Sequence, residues 1–103
     1  MGRSLSQVTR MLIRLHSIMR VFREKYGYPI LFVVDRITNR EDAVVLIVDI
    51  FYDDRSQAEE VVKKVLEHLR SYGVKVLDYI LGSYMVPFKE VWRMVAEVAV
   101  DIR

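Results

Sequence analysis

Acidic side chains lie inside and beside two apolar runs near the middle of the chain. The runs extend from Tyr28 to Val34 and from Ala43 to Tyr52, and a polar connector at 35–42 joins them. An ionised carboxylate is costly to bury alone, so each acid must be paired, hydrogen-bonded, exposed at a strand end or bound to a cation. The acids in question are Asp35 and Asp42 on the connector, and Asp49, Asp53 and Asp54 on the second run or directly after it.

These acids could form a magnesium site. In a strand of period two, Asp49 shares its face with apolar residues of the second run, and Asp78 does so in a third run at 74–81. If the two strands are neighbours and these faces coincide, Asp49 and Asp78 offer hard oxygen ligands to Mg²⁺, with Asp42 or Asp53 as a third. The alternative is structural: salt bridges to helix arginines, or solvated strand ends.

The basic residues are concentrated at the start of the chain. The first 27 residues carry six basic residues against one acidic residue, and the rest carries an excess of acids. This asymmetry predicts either an anionic partner, such as nucleic acid, or a basic helix that lies on the acidic remainder. At about 100° per residue, four of the basic side chains project from one sector of a helix: Arg3, Arg10, Arg14 and Lys25.

Composition limits the class of protein. With 103 residues, 52% of them hydrophobic, the chain fits a single domain over residues 1–103 with one core. The absence of cysteine excludes disulfides and thiolate metal sites and favours a reducing compartment. No apolar run approaches the roughly 20 residues that span a bilayer, so we expect a soluble cytoplasmic protein without a membrane partner. One Asn and two Gln are typical of a thermophile.

Several motifs of common enzymes do not occur in the sequence. The Gly-x-Ser-x-Gly elbow of serine hydrolases is missing. So are the phosphate-binding patterns Gly-x-x-x-x-Gly-Lys-Ser/Thr and Gly-x-Gly-x-x-Gly. His16 and His68 fall on separate predicted helices, without the close spacing of a zinc site. These observations disfavour serine hydrolysis, ATPase and dehydrogenase chemistry.

Hydrophobic periodicity predicts six elements in the order αββαβα. Apolar steps of three and four from Leu5 to Tyr26 predict a first helix, which Gly27 ends. A second helix begins after Asp54, where Ser56 to Glu59 has the pattern of a capping box, and Gly73 ends it as Gly27 ends the first. Steps of three and four recur at 87–102, which predicts a last helix after the third strand. We therefore expect an α/β (α+β) domain, with a mixed three-stranded sheet flanked by helices and strands covered on both faces.

This pattern resembles the small nucleotidyltransferases of the DNA polymerase beta superfamily. The resemblance rests on the αββαβα order, the acidic second strand and the segments 76–80 and 86–102, and it covers nearly the whole chain in pattern more than in motif. In that family a Gly-Ser after the first strand holds the triphosphate, and three acids bind Mg²⁺. Here Val33-Val34 replace the Gly-Ser, Asp42-Ala-Val matches only the first residue of the acidic pair, and Asp78 matches the third acid.

The resemblance implies a degenerate member of that family. Two-metal transfer needs several carboxylates and a loop that holds phosphates. We therefore expect a non-catalytic binding or assembly module without a cofactor, as a homodimer or with a protein partner, because dimerisation would cover sheet edges and surplus apolar surface. One alternative is a Mg²⁺-dependent nucleotidyltransferase that uses Asp42, Asp49 and Asp78. Another is a nucleic-acid-binding protein that uses the basic first helix. The strand order, the ligand and the partner stay open.

Overall fold

The computed structural model describes residues 5–36, 38–40 and 42–101. They form one α+β domain with the element order αββαββ. The elements are α1 (Leu5–Tyr26), β1 (Ile30–Asp35), β2 (Val44–Ile50), α2 (Arg55–Ser71), β3 (Lys75–Met85) and β4 (Glu90–Ala99). The strands lie in the order β1-β2-β4-β3, and each neighbouring pair is antiparallel. The predicted class and the first five elements are confirmed, whereas the predicted mixed three-stranded sheet is wrong.

The last segment is a strand and not the predicted helix, so the predicted αββαβα order is wrong. Almost every residue from Val91 to Val98 is apolar, so the segment satisfies a period of two as well as steps of three and four. In the fold, β4 lies between β2 and β3 and pairs with both along its length. Pro87 lies in a hairpin turn, in which the N–H of Val86 donates to the carbonyl of Lys89 at 2.8 Å. Two neighbouring strands therefore determine the conformation of this segment.

The helix ends follow local chemistry. Gly27 and Gly73 have φ of 66° and 76°, the left-handed conformation that the sequence predicts after each helix. The predicted cap of α2 at Ser56 is wrong. Asp54 is the N-cap, and its carboxylate accepts from the N–H of Ser56 at 3.0 Å. Glu59, the other half of the predicted capping box, pairs with Arg55 at 2.9 Å.

Both helices lie on one face of the sheet, where the core forms. The two helices and the inward residues of the four strands share one buried cluster, which includes Phe22, Leu46, Val65 and Met94. A buried histidine connects the helices: Nε2 of His68 lies 2.8 Å from the carbonyl oxygen of Ile18, to which it donates. No helix among the described residues has both the length and the apolar character needed to cross a membrane.

The opposite face of the sheet is covered by neither helix. We call it the open face. There Leu31 and Val33 of β1 are 57% and 56% exposed, so the prediction that this strand is covered on both faces is wrong. Antiparallel sheets commonly pack one face on a core and leave the other in water, where polar residues are usual. Aliphatic side chains on the open face are the exception to that rule.

Candidate functional site

The centre of the open face is a row of aliphatic side chains that crosses all four strands. The pairing register places one residue of each strand side by side in this row. Its outer members, Val33 and Ile80, are 56% and 66% exposed, and its inner members are partly buried. We call it the apolar row, in strand order Val33, Ile47, Val95 and Ile80. Large contiguous apolar patches are rare on the surfaces of monomeric proteins and are typical of interaction sites.

An ion pair lies beside the apolar row. The next row consists of Leu31, Asp49, Arg93 and Gly82. Nε and Nη2 of Arg93 donate to the two carboxylate oxygens of Asp49 at 2.7 and 3.1 Å, in the bidentate geometry typical of strong arginine contacts. The hydrogen bond that Arg93 donates to Asp49 raises the pKa of the guanidinium further above its ordinary value, so this residue stays cationic. The guanidinium also lies 4.8 Å from the centre of the Tyr84 ring.

The connector between β1 and β2 folds over the other side of the apolar row. The hydroxyl of Thr38 donates to Oε2 of Glu97 at 2.7 Å, and Nε of Arg40 lies 3.1 Å from the same oxygen. On β2, Val45 stands opposite Glu97 and is buried. The apolar row is therefore bounded by an ion pair on each side, and its two ends, Val33 and Ile80, are its most exposed members.

The three acids of the expected magnesium site lie apart. Asp49 and Asp78 share the open face, as the strand period predicts, but β4 separates their strands and they stand opposite Arg93 and Glu97. With about 4.8 Å between strands and about 3.3 Å per residue, their backbones are about 16 Å apart. Asp42 is exposed, ahead of β2. Among the residues that the structure describes, no three His, Cys, Asp or Glu side chains form a metal-binding group.

Both strand acids have partners of their own. Asp49 is bound by Arg93, a strand residue where the sequence had suggested a helix arginine. Oδ1 of Asp78 accepts from the backbone N–H of Tyr79 at 2.9 Å. The interaction with Arg93 depends on β4 being a strand, since this pairing places Arg93 opposite Asp49. The sequence signal that could have revealed it is the placement of charged Arg93 and Glu97 at alternate positions between apolar residues.

The basic residues of the first helix are on the other side of the molecule. Arg10, Arg14 and Lys25 are exposed on α1, which lies against the face of the sheet opposite to the apolar row. Nζ of Lys25 lies 5.3 Å from the centre of the Tyr26 ring. Arg3 lies outside the described residues.

A groove of about 480 Å³ runs between α2 and β3 on the helix side of the sheet. It is distinct from the open face. Apolar side chains of both elements line it together with charged residues of α2, and we call it the α2–β3 groove. Its lining includes Val62, Lys63, Leu66, Arg70, Tyr79 and Leu81. In comparisons with known proteins, no family model, no curated protein and no solved structure matches this chain.

Proposed function

We propose that this protein is a non-catalytic assembly module that forms a homodimer through its open sheet face. The observation that carries the proposal is the apolar row, in which Val33 and Ile80 remain more than half exposed. Burying apolar surface contributes roughly 25 cal/mol per Å², and folding of one chain leaves this surface in water. A second copy offers a surface of the same shape and chemistry.

A two-fold axis parallel to the strands, between β2 and β4, makes this surface self-complementary. Such an axis places β1 over the partner's β3 and β2 over the partner's β4. Val33 then faces the partner's Ile80. In the same way, Ile47 faces the partner's Val95. Every contact within the apolar row is apolar on both sides.

The neighbouring row is complementary under the same axis. Asp49 lies over the partner's Arg93, and Arg93 lies over the partner's Asp49, so opposite charges meet twice. Leu31 lies over the partner's Gly82, where no atom lies within 4 Å of the position that a Cβ would occupy. A large side chain therefore meets an open position. Complementary charge of this kind sets the register of an interface.

The partners of the acids support the non-catalytic part of the proposal. Asp49 is neutralised by Arg93, and Asp78 bonds a backbone N–H, so both acids have roles that need no metal. The scaffold that the resemblance suggests would then serve binding alone. We expect nucleoside triphosphate with Mg²⁺ to leave the unfolding temperature unchanged. A rise that Asp78→Asn abolishes would support the nucleotidyltransferase alternative.

The basic side of α1 has its own test. We expect no tight binding of the chain to single-stranded or double-stranded nucleic acid. If the alternative holds, affinity falls steeply as salt rises, because phosphate contacts release counterions. Arg14→Gln would then reduce the slope.

Dimerisation is tested by the molar mass over a concentration series, by sedimentation or light scattering. We expect the mass of two chains for the unmodified protein and of one chain for Val33→Lys, because a lysine that faces the partner's Ile80 is buried without an opposite charge. Val21→Lys is the matched control: Val21 is exposed on α1, away from the open face, and this variant should remain a dimer. A monomer at the highest soluble concentration of the unmodified protein would contradict the proposal.

A charge exchange tests the register. Asp49→Arg places arginines over one another in the dimer and should weaken association. Adding Arg93→Asp restores both the pair within each chain and the opposite charges across the axis, so the double variant should dimerise again. If the two variants associate equally, the proposed axis is wrong.

A further inference from the structure

The two edges of the sheet differ in their protection against pairing with another strand. β1 has six residues and follows Pro29, whereas β3 has eleven residues. From Tyr79 to Met85, β3 carries no charged side chain. Proteins usually protect long edge strands with charges, proline or a cover, because an edge offers unpaired backbone groups. This stretch of β3 has none of these devices in its own sequence.

The hairpin turn shows which backbone groups of β3 point outward. The bond from Val86 to Lys89 makes these two residues a hydrogen-bonded pair. Pairs alternate along an antiparallel ladder, so Gly82 and Tyr84 bond to β4 while Leu81 and Ser83 direct their N–H and C=O groups away from the sheet. The N–H of Tyr79 also points away from β4, and it donates to the carboxylate of Asp78. Leu81 and Ser83 are thus available to a fifth strand.

The α2–β3 groove lies directly beside this edge. Tyr79 and Leu81 of β3 form one wall, and Val62 and Leu66 of α2 form part of the other. Side chains alternate across a strand, so every second residue of a strand added to β3 would enter the groove and contact these apolar groups. The residues between would extend toward the open side of the sheet. The edge and the groove therefore suit an extended peptide.

The charges of the groove favour an acidic peptide. Two acids also line the groove, and each has a partner outside the pair Lys63 and Arg70: Glu59 is bound to Arg55 at 2.9 Å, and Glu67 lies 3.9 Å from Lys64. Lys63 and Arg70 have no ion pair among the described residues, so the lining keeps a net positive charge of one. The two cations are seven positions apart, which corresponds to about 10.5 Å along the helix. Acidic residues four positions apart on a strand are about 13 Å apart and enter on the same side, within reach of both. A second copy of β3 would supply no carboxylate from its uncharged stretch.

We propose that the edge of β3 and the α2–β3 groove bind an extended acidic peptide segment of another protein as a fifth strand. Its carboxylates pair with Lys63 and Arg70, an apolar side chain between them contacts Leu66, and its backbone pairs with Leu81 and Ser83. Strand addition of this kind takes its affinity from the backbone and its specificity from the alternate side chains. The site is separate from the open face, so a dimer formed there carries two of these grooves.

The probe is the peptide acetyl-Thr-Glu-Thr-Val-Thr-Glu-Thr-amide, and the matched probe has lysine in place of both glutamates. Each is titrated into the isotope-labelled full chain to millimolar concentration, with the amide resonances followed by NMR. We expect the acidic peptide to shift the amides of Leu81 and Ser83 and to bind at least about tenfold more tightly than the lysine peptide, because charge complementarity decides the partner. No shift with the acidic peptide overturns the proposal.

Two variations separate this mode from adsorption to a basic surface. In the double variant Lys63→Glu and Arg70→Glu the preference should reverse, and the lysine peptide should bind more tightly by a similar factor. N-methylation of alternate residues of the peptide removes N–H groups from one edge of the strand only. One methylated peptide carries the change at the two glutamates and the valine, and the other carries it at the two central threonines. We expect one of these peptides to lose binding and the other to keep it. Equal effects of the two methylations overturn the proposal.

The same titration is made on Val33→Lys, so that peptide binding is measured whether or not open faces dimerise. If β3 instead pairs with a second copy, the molar mass of Val33→Lys stays above one chain and the amides of Leu81 and Ser83 exchange slowly without peptide. That result overturns the peptide proposal and leaves the open-face proposal to its own test.

Discussion

The two faces of the sheet contain similar aliphatic side chains in opposite surroundings. On the helix side, Leu46 and Met94 are completely buried, whereas Leu31 and Ile80 on the open side are 57% and 66% exposed. The same strands supply both faces. One chain can cover only the first, because its two helices lie together on that side. The open face therefore carries apolar surface that the folding of one chain does not bury.

Polar groups on the two faces also differ in their setting. His68 is buried between the helices and donates to the carbonyl of Ile18, so it satisfies a group that would be costly to bury alone. Asp49 and Arg93 form their pair on the open face, where the arginine side chain is nearly half exposed. An exposed ion pair contributes little to the stability of one chain. In the proposed dimer the pair loses water, and we expect its effect to be greater there.

The largest expected effect on stability is at a leucine of the helix side, and a leucine of the open side on the neighbouring strand serves as its comparison. Leu46→Ala removes a fully buried side chain from the helix side and should lower the free energy of unfolding by about 2 to 5 kcal/mol. Leu31→Ala on the open side should change it by less than about 0.5 kcal/mol, measured on the Val33→Lys background to avoid dimerisation. Denaturant unfolding gives both values. Similar losses at the two sites would mean that the open face is already packed within one chain.

A medium effect is expected from the histidine between the helices. His68→Phe keeps an aromatic ring beside Phe22 and Tyr72 but removes the hydrogen bond to Ile18. We expect a loss of about 1 kcal/mol in the free energy of unfolding, the usual net value of one such bond. His16→Phe, at an exposed position of α1, is the control and should have little effect. An unchanged stability of His68→Phe would show that ring packing alone joins the helices there.

The smallest effect on folding is expected at Gly82, whose replacement separates folding from association. Gly82→Val adds a β-branched side chain where no atom lies within 4 Å of a Cβ, so stability should stay within about 1 kcal/mol or rise. In the proposed dimer the valine meets the partner's Leu31, and the association midpoint should move to higher concentration. Ser83→Val, on the opposite face of β3, should keep the dimer intact. Equal association of these two variants would place the interface elsewhere.

Local patterns were sufficient for most of the elements. The apolar steps of α1 and the glycines after both helices predicted the helix ends, and the apolar runs predicted β1, β2 and β3. The third run was expected at 74–81, whereas β3 continues to Met85. The strand period also predicted that Asp49 and Asp78 share a face. It could not predict their separation, which depends on β4 lying between them.

The sequence by itself determined which segments are apolar, where the helices stop and which side chains share a strand face, because these properties depend on residues near one another in the chain. Only the tertiary structure decided that 90–99 is a strand, since its two neighbours pair with it from distant parts of the chain. That pairing brings Arg93 to Asp49 and puts both helices on one side of the sheet. The open face therefore results from long-range hydrogen bonding, which a local pattern does not contain.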